Sequence, residues 1–535
     1  MSGEASQRER YITVAIITAL LGTGLAFRML HLGSIPGING DEGWWGVQCT
    51  RWAQGVAYET KTTSGNPVDM AFLVPLGLLH KVAGPSFFVL RLLPAVANLI
   101  AIGLGFFLVR RLYGTTTAWI TTVALSIAPT AIVHSRFCQD PSQSVLWTSV
   151  TMYLALLALK EPRRWWIYGI ASLLAFGMAF WTHPTNLFVA PFLVLPTWPV
   201  VKRWIPSSPR GQIYFAAGVA VVVSAIALIM LFVVWPALKS RTGASAMLDK
   251  PWLDTARAHL TDPGHWFEYI RNYGRLFSGV SVYRYVSGPH LTAAVYGATA
   301  VIVAIGVIAG VVMMVRRHRS ALDHGLVFGW ATMWLLYFLF AGPESIRPHY
   351  ERWGLVLIPP VMLLIGRGVT GWIERGPRIR WATIACATVL AAALVGSFYL
   401  SYFREFQTSG GRSHRTFITA STEPKQQALE HILARRTGNE PVMIVANDWW
   451  QFWPIAYLAQ AETGVTVRMT LPPEPDAEMI DAITGGRLYF VEFVGTPELQ
   501  QASDWAGGHH LQFATTTMIH SASGRDLFAI YQVTR

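Results

Sequence analysis

Apolar residues along this chain fall into windows of about 20, separated by short polar or basic segments. This pattern is typical of a polytopic α-helical membrane protein and differs from the weak alternation of a membrane β-barrel. It predicts about eleven transmembrane helices, together with shorter juxtamembrane helices. The predicted spans are 11–30, 87–109, 116–133, 144–159, 165–182, 185–200, 213–235, 291–315, 325–341, 353–373 and 381–402.

One further apolar run, 68–83, is short and contains charged residues, among them Asp69 and Lys81. If this run crossed the membrane, the arginine pair at 110 and 111 would lie on the outer side, against the positive-inside rule. The run therefore predicts a juxtamembrane or re-entrant helix.

Composition and charge support the membrane interpretation. Of the 535 residues, 52% are hydrophobic and 13% are charged, whereas an average soluble domain has about 25% charged residues. The net charge of +12 arises from Lys and Arg clusters in short connections between spans, which marks one membrane side and argues against nucleic-acid binding. Arg8 and Arg10 precede the first span and predict a cytoplasmic N-terminus, so an odd number of spans places the C-terminus outside.

From residue 404 onwards, short strand patterns alternate with helix patterns. The sequence therefore predicts a membrane domain at 1–403 and a soluble extracytoplasmic α/β domain at 404–535. The second domain has no GxGxxG or Walker loop and thus no nucleotide-binding signature. Its aromatic residues between 449 and 457 could stack on a sugar, but their helical spacing favours core packing.

Two adjacent carboxylates, Asp41 and Glu42, follow the first span in the stretch INGDEGWW. Each would cost about 2.5–3.5 kcal/mol at the bilayer centre, so their place at its edge suggests chemistry at the membrane surface. The structural alternative makes Asp41 the N-cap of a short interfacial helix anchored by tryptophans.

The predicted orientation of the spans places further polar residues on the outer surface. Asp140 lies in the second outer loop, His183 ends the fifth predicted span, and Arg352 belongs to the later outer segment PESIRPHYER. A carboxylate can take a proton from a hydroxyl, and arginine pairs with phosphate. Each residue also has a structural explanation: Asp140 as a helix N-cap, His183 as a helix end and Arg352 as an interfacial anchor.

The sequence leaves open whether a disulfide bond forms and whether a metal ion binds. Cys49 and Cys138 each lie near an outer carboxylate, and an oxidising compartment could join them in a disulfide. The carboxylates and histidines could hold a divalent metal ion as a cofactor, but no diagnostic ligand spacing is present.

Four features follow one another in the first three quarters of the chain. They are the pair Asp41 and Glu42, the segment FFVLRLLPAVANL with Arg91, the segment SRFCQDPS with Asp140, and the turn HYERWGLVLIPP at 349–360. In this order and sidedness they resemble the GT-C superfamily of polytopic glycosyltransferases. The resemblance is strongest to the family 39 group, which includes protein O-mannosyltransferases, lipid A aminoarabinose transferases and RgtA/B/C/D-like enzymes.

The resemblance implies a sugar donor linked to polyprenyl phosphate and an active site in an outward-facing cavity. By matching position, Asp41 is the catalytic base, assisted by Glu42. Asp140 is the second acidic residue, which orients the acceptor or a metal. Arg352, with His349 beside it, contacts the donor phosphate.

Two positions depart from the family pattern. Relatives usually have a lysine followed by prolines before the juxtamembrane helix, whereas this chain reads ETKTTSGNP, with Lys61 as the candidate phosphate ligand. Where many relatives carry lysine, this chain has His183, so the charge there depends on pH.

We therefore expect an inverting glycosyltransferase that moves a sugar to a hydroxyl of a glycan, lipid or protein acceptor. The expected location is the bacterial inner membrane, with membrane lipid but no nucleic acid as a partner. Two alternatives are a transporter or flippase of lipid-linked saccharides and a catalytically idle sensor. The predicted spans have almost no charge in their interiors, which favours an enzyme over a transporter.

Overall fold

The computed structural model describes residues 2–62, 67–198, 208, 210–211, 252–280, 293–316, 320–348, 350–411 and 423–535. Within these ranges, six helical segments are long and apolar enough to cross a membrane, as expected for a multi-pass membrane protein. They are Tyr11–Met29, Phe87–Tyr113, Asp140–Lys160, Trp165–Thr182, Glu351–Ile373 and Pro377–Ser409. Each of them coincides with a span predicted from hydropathy, whereas the predicted span 213–235 lies outside the described residues.

The described ranges before residue 412 are mainly helical. The α-helices are α1 (Ser2–Met29), α2 (Gly40–Ala53), α3 (Met70–Ala83), α4 (Phe87–Tyr113), α5 (Thr115–Ile127), α6 (Pro129–His134), α7 (Ser144–Lys160), α8 (Trp165–Thr182), α9 (Trp252–Thr261), α10 (Pro263–Ser278), α11 (Ala293–Arg316), α12 (Ala321–Phe340), α13 (Ile358–Ile373), α14 (Pro377–Phe398) and α15 (Glu405–Ser409). Tighter 3₁₀ segments occur at Asp140–Gln143, Pro184–Thr197, Pro343–Ile346 and Glu351–Leu357, and a π-helical turn at Tyr399–Arg404.

Two predicted spans differ in form from the prediction. The span 116–133 was expected to be continuous, but α5 ends before Ala128, which is extended at ψ 114°, and α6 begins at Pro129. The cause is steric, because a residue that precedes proline avoids the helical region. The span 185–200 is a 3₁₀ segment, Pro184–Thr197, with two further prolines inside it that cannot donate backbone hydrogen bonds.

The short helices α2 and α3 begin with side-chain caps. Asn39 caps α2, since its Oδ1 accepts a hydrogen bond from the Glu42 N–H at 2.9 Å and Glu42 accepts one from the Asn39 N–H at 3.4 Å. The structural alternative in which Asp41 is the N-cap is therefore wrong. Asp69 caps α3, which has 14 residues and is shorter than a span, as expected for the juxtamembrane run.

The C-terminal part contains a five-stranded mixed sheet flanked by helices. Its elements are α16 (Pro424–Leu433), β1 (Val442–Val445), α17 (Trp449–Ala459), β2 (Val465–Arg468), α18 (Ala477–Thr484), β3 (Leu488–Phe493), α19 (Pro497–Gly508), β4 (Gln512–His520) and β5 (Asp526–Thr534). The strand order is β2-β1-β3-β5-β4. β1 runs parallel to β2 and β3, and β5 runs antiparallel to β3 and β4. Apolar side chains cover both faces, so β1 and β3 are buried along their whole length.

A stripe of glycines lets the C-terminal part pack directly on the membrane part. Gly40, Gly43 and Gly46 recur every third residue and form one face of α2. A Cβ at these positions would collide, in order, with the Trp449 ring, the Trp453 backbone and the Tyr457 ring of α17. The boundary at residue 404 stays a prediction, and α17 of the C-terminal part belongs to the same apolar cluster as α2 and α3.

We expect Gly43→Ala to weaken this packing. The added Cβ would meet the backbone of Trp453 and Pro454, which cannot swing aside as a long side chain can. A loss of about 1–3 kcal/mol in the free energy of unfolding is expected for such overpacking. Thermal unfolding of the purified protein in detergent measures it. Gly22→Ala in α1, where a Cβ would meet nothing within 4 Å, is the matched control, and an equal effect of both substitutions would contradict the packing argument.

Candidate active site

Asp41 lies in the first turn of α2 with its carboxylate open to solvent on one side. Its side chain is 30% exposed. Oδ1 accepts a hydrogen bond from Trp449 Nε1 at 3.3 Å, and Oδ2 accepts one from Gln139 Nε2 at 3.4 Å. Both bonds are long, so they orient the carboxylate while leaving lone pairs for a further hydrogen-bond donor.

Arg352 provides the positive charge beside Asp41. Its Nη2 lies 3.9 Å from Asp41 Oδ2, and its side chain is 26% exposed. The guanidinium lies over the ring of Trp353 at 5.9 Å, which holds the charge at the edge of the apolar region. The structure thus places the predicted base and the predicted phosphate ligand side by side, although more than 300 residues separate them in the sequence.

Asp140 is the second predicted carboxylate, and it faces the same surroundings. It is the first residue of the 3₁₀ segment Asp140–Gln143, which has no side-chain cap. The structural explanation of Asp140 as an N-cap is therefore wrong. The charges of Asp69, Arg352 and Asp41 all act on Asp140, so Arg352 is shared by a group of carboxylates.

Asp69 is a carboxylate of this group to which the sequence analysis gave no role. It is buried, and burial raises its pKa to about 6, although the backbone N–H groups of Ala71 and Phe72 and the side chain of Trp181 favour the charged form. An aspartate directly before an apolar helical run is a typical N-cap, so the sequence contained a signal for this role. Its proximity to Asp140 depends on the tertiary fold and has no sequence signal.

We expect Asp69→Asn to stabilise the protein at high pH. The folded-state pKa of about 6 lies above the ordinary value of 3.8, so protonated Asp69 favours folding below about pH 4 and this contribution is lost as pH rises through 6. Asparagine carries no charge and still caps a helix. The variant should gain about 2–3 kcal/mol over wild type at pH 8 and only about 1 kcal/mol at pH 4.5.

Thermal unfolding at both pH values measures this difference. Asp69→Ala is the control, because it removes the cap as well as the charge and should gain about 1 kcal/mol less than Asp69→Asn at both pH values. A gain for Asp69→Asn that is equal at the two pH values would contradict the titration argument.

Glu42 and Arg91 form a buried ion pair beneath Asp41. Arg91 Nε and Nη2 donate to the two Glu42 carboxylate oxygens at 2.8 and 2.9 Å, and both side chains are fully buried. Arg91 also donates to three backbone carbonyls, of Leu32, Pro36 and Gly37. Glu42 accepts in addition from the Cys138 N–H at 3.0 Å. The pair therefore ties together the chain before α2, the start of α2, α4 and the segment that leads to Asp140.

His183 is buried next to Arg352 and Trp353. Its ring stacks on Trp353 with centroids 6.5 Å apart, and its Nδ1 lies 2.7 Å from Thr185 Oγ1. Burial and the charge of Arg352 lower its pKa to about 3. We therefore expect the imidazole to be uncharged at neutral pH.

Lys61 and His349 are the other two residues predicted to bind the donor phosphate. Lys61 is exposed and pairs through its backbone with Pro67, and no contact joins it to Asp41 or Arg352 in the described part of the chain. His349 lies outside the described residues. Cys49 and Cys138 are both buried free thiols. No group of three His, Cys, Asp or Glu side chains within the described ranges could hold a metal ion, so a metal cofactor stays a prediction.

A family comparison and structural comparisons bear on this arrangement. Residues 70–237 match the family described as dolichyl-phosphate-mannose-protein mannosyltransferase. No curated protein gives a significant match to the chain. The crystal structure of ArnT from Cupriavidus metallidurans bound to undecaprenyl phosphate is 13% identical over 96% of this chain and 97% of that chain, with a TM-score of 0.55.

A second similar structure is the archaeal oligosaccharyltransferase AglB from Archaeoglobus fulgidus, in complex with an inhibitory peptide and a dolichol-phosphate. It is 11% identical over 94% of this chain and 72% of that chain, with a TM-score of 0.53. At these identities the structural similarity establishes the fold. Together with the family match, it confirms the resemblance to GT-C superfamily glycosyltransferases that the sequence predicted.

Proposed function

We propose that this GT-C superfamily glycosyltransferase moves a sugar from a polyprenyl-phosphate donor to an acceptor hydroxyl, with Asp41 as the base. The observation that carries the proposal is the partly exposed Asp41 carboxylate 3.9 Å from the Arg352 guanidinium. A base and a phosphate-binding cation are thereby available at one site. The undecaprenyl phosphate bound to ArnT and the dolichol-phosphate bound to AglB support a donor of this class.

The reaction is a single displacement. Asp41 takes the proton of the acceptor hydroxyl as its oxygen forms a bond to the anomeric carbon. The bond from that carbon to the phosphate oxygen breaks on the opposite face, so the configuration inverts. The electron pair leaves with the phosphate, whose developing charge Arg352 stabilises. No acid is needed, because the phosphate monoester is already a good leaving group.

The other site residues position this chemistry. Asp140, with Asp69 behind it, would accept hydrogen bonds from acceptor or sugar hydroxyls. The buried Glu42 and Arg91 would hold Asp41 in place rather than contact substrate. Lys61 and His349 stay candidates for the donor phosphate, and Trp449 would make the C-terminal part a wall of the acceptor site.

We also propose the outer face of the bacterial inner membrane as the site of transfer, with a cytoplasmic N-terminus and an extracytoplasmic C-terminal part. The Lys and Arg clusters in the short connections support this orientation. In spheroplasts, protease added outside should cleave within residues 404–535 and leave an N-terminal tag intact. The opposite pattern would reverse the orientation.

Transfer from a panel of radiolabelled polyprenyl-phosphate sugars, with the protein in nanodiscs, tests the proposed reaction. One donor should give a labelled product whose anomeric configuration is inverted relative to the donor. A retained configuration would contradict the single displacement. Tight binding of a lipid-linked saccharide without transfer to any acceptor in envelope extracts would favour the transporter or sensor alternative.

A further inference from the structure

A polar cavity lies in the C-terminal part, at the end of the parallel strands that is away from Asp41. It has a volume of about 310 Å³. Its walls are the chain between α16 and β1 and the turn before β3, and Tyr489 and Gln532 also line it. The cavity adjoins the first residue of β1, whereas Trp449, which contacts Asp41, follows the last residue of the same strand. The length of β1 therefore separates the two sites.

Three arginines line this cavity, which we call the arginine pocket. They are Arg435, Arg436 and Arg487, and Glu440 is the single carboxylate among the lining residues. Arg487 Nη2 forms an ion pair with Asp481 at 2.8 Å, but that carboxylate is 68% exposed and faces solvent. The pocket therefore carries a net positive charge.

Two guanidinium nitrogens of the pocket lack acceptors. Arg436 Nη2 and Arg487 Nε are buried and have no hydrogen-bond partner among the described residues. Arg436 Nε donates a hydrogen bond to the Glu440 backbone carbonyl at 2.6 Å, which restrains the guanidinium. Since these two nitrogens are closed off from solvent, an oxyanion in the cavity would pair with the remaining, accessible guanidinium nitrogens of the arginines.

Two glycines leave room for these guanidiniums beside the backbone. Gly464 has φ +73°, and a Cβ there would lie 2.6 Å from Arg436 Nη2. A Cβ at Gly485 would collide with Arg487 Nε. The hydrogen bond of Arg436 to the Glu440 carbonyl and the ion pair of Arg487 with Asp481 restrain the two heads before a ligand arrives.

We propose that the arginine pocket binds a saccharide unit that carries a phosphate or a carboxylate group. Arginine forks pair with both kinds of oxyanion through two hydrogen bonds. The volume lies at the lower end of ligand cavities, about 300–1,000 Å³, which suits one charged monosaccharide unit better than a free ion. Tyr489 and Gln532 supply neutral polar groups for sugar hydroxyls. This binding does not depend on the proposed transfer reaction.

Calorimetric titration of the full-length protein in nanodiscs of zwitterionic lipid tests the proposal. The probes are glucose 1-phosphate, glucuronate and glucose. We expect at least one charged sugar to bind and glucose not to bind, and the pattern of the two charged probes identifies the preferred oxyanion. Raising the salt concentration should weaken binding to wild type.

Arg436→Gln and Arg487→Gln should each weaken binding at least tenfold. Arg468→Gln is the matched control, because Arg468 lies at the other end of the parallel strands and is already paired with Asp476 and Glu478. Thermal unfolding of each variant shows whether it is folded. Failure of wild type to bind either charged sugar at millimolar concentration would overturn the proposal. Binding that survives both pocket substitutions but is lost in Arg352→Gln would also overturn it, because the ligand would then occupy the Asp41 site.

Discussion

Asp41→Asn is expected to reduce sugar transfer about 10²- to 10⁴-fold, the usual contribution of a general base. Asparagine has nearly the same shape, and its amide oxygen can keep one of the two hydrogen bonds, for example that from Trp449. It cannot take the proton of the acceptor hydroxyl. The turnover number should therefore fall, while the affinity for the lipid-linked donor should change little, because Arg352 keeps its charge.

Initial rates with the preferred donor, at equal amounts of folded protein, measure this effect. Asp262→Asn is the matched control, because Asp262 is an exposed N-cap that accepts from the Gly264 N–H at 2.7 Å and asparagine caps equally well. A variant with unchanged turnover would remove Asp41 from the role of base. If only the donor affinity fell, Asp41 would act in binding.

Hydropathy was enough to predict the membrane class, and predicted sidedness selected the candidate site residues. Six predicted spans coincide with helical segments. A run of about twenty apolar residues can satisfy its backbone hydrogen bonds within a membrane by forming a helix, and few other structures allow this. Asp41, Asp140 and Arg352 follow from their place at the ends of spans on one predicted side. The tertiary structure then brings all three together.

Other features depend on contacts that no local pattern reveals. Glu42 and Asp41 are adjacent and chemically alike, yet one is fully buried against Arg91 and the other is 30% exposed. Side chains one residue apart in a helix point about 100° apart, so only the packing around α2 decides which carboxylate faces solvent. The glycines of INGDEGWWG were visible in the sequence, but their partner α17 lies some 400 residues later.

The resulting arrangement makes the C-terminal part a structural component of the site. Trp449 contacts Asp41, and Lys425 Nζ donates to the Ile38 carbonyl at 2.7 Å just before α2. Tyr457 adds a hydrogen bond from its hydroxyl to the Ser86 carbonyl at 3.2 Å. Deletion of residues 404–535 would therefore disturb Asp41 itself and could not separate acceptor recruitment from catalysis, which is why single substitutions are the better test.

The second large effect is expected for Arg91→Met, with a loss of about 3–5 kcal/mol in the free energy of unfolding. Removing one partner of a buried ion pair leaves an uncompensated charge, here Glu42, in an apolar environment. The substitution also leaves the carbonyls of Leu32, Pro36 and Gly37 without the donor that now satisfies them. Arg111→Met is the control, because the ion pair of Arg111 with Glu161 is exposed and worth little.

A double variant, Arg91→Met with Glu42→Met, separates the ion pair from its backbone contacts. If the charge left on Glu42 causes the loss, removing it should recover much of the stability, since apolar side chains can replace a buried pair. The recovery should remain incomplete, because the three carbonyls and the Cys138 N–H stay unpaired. Transfer should stay low even where the protein is folded, because Asp41 follows the position of α2. Full recovery of both stability and transfer would show that the pair is dispensable, and an unchanged melting temperature for Arg91→Met alone would contradict the buried network.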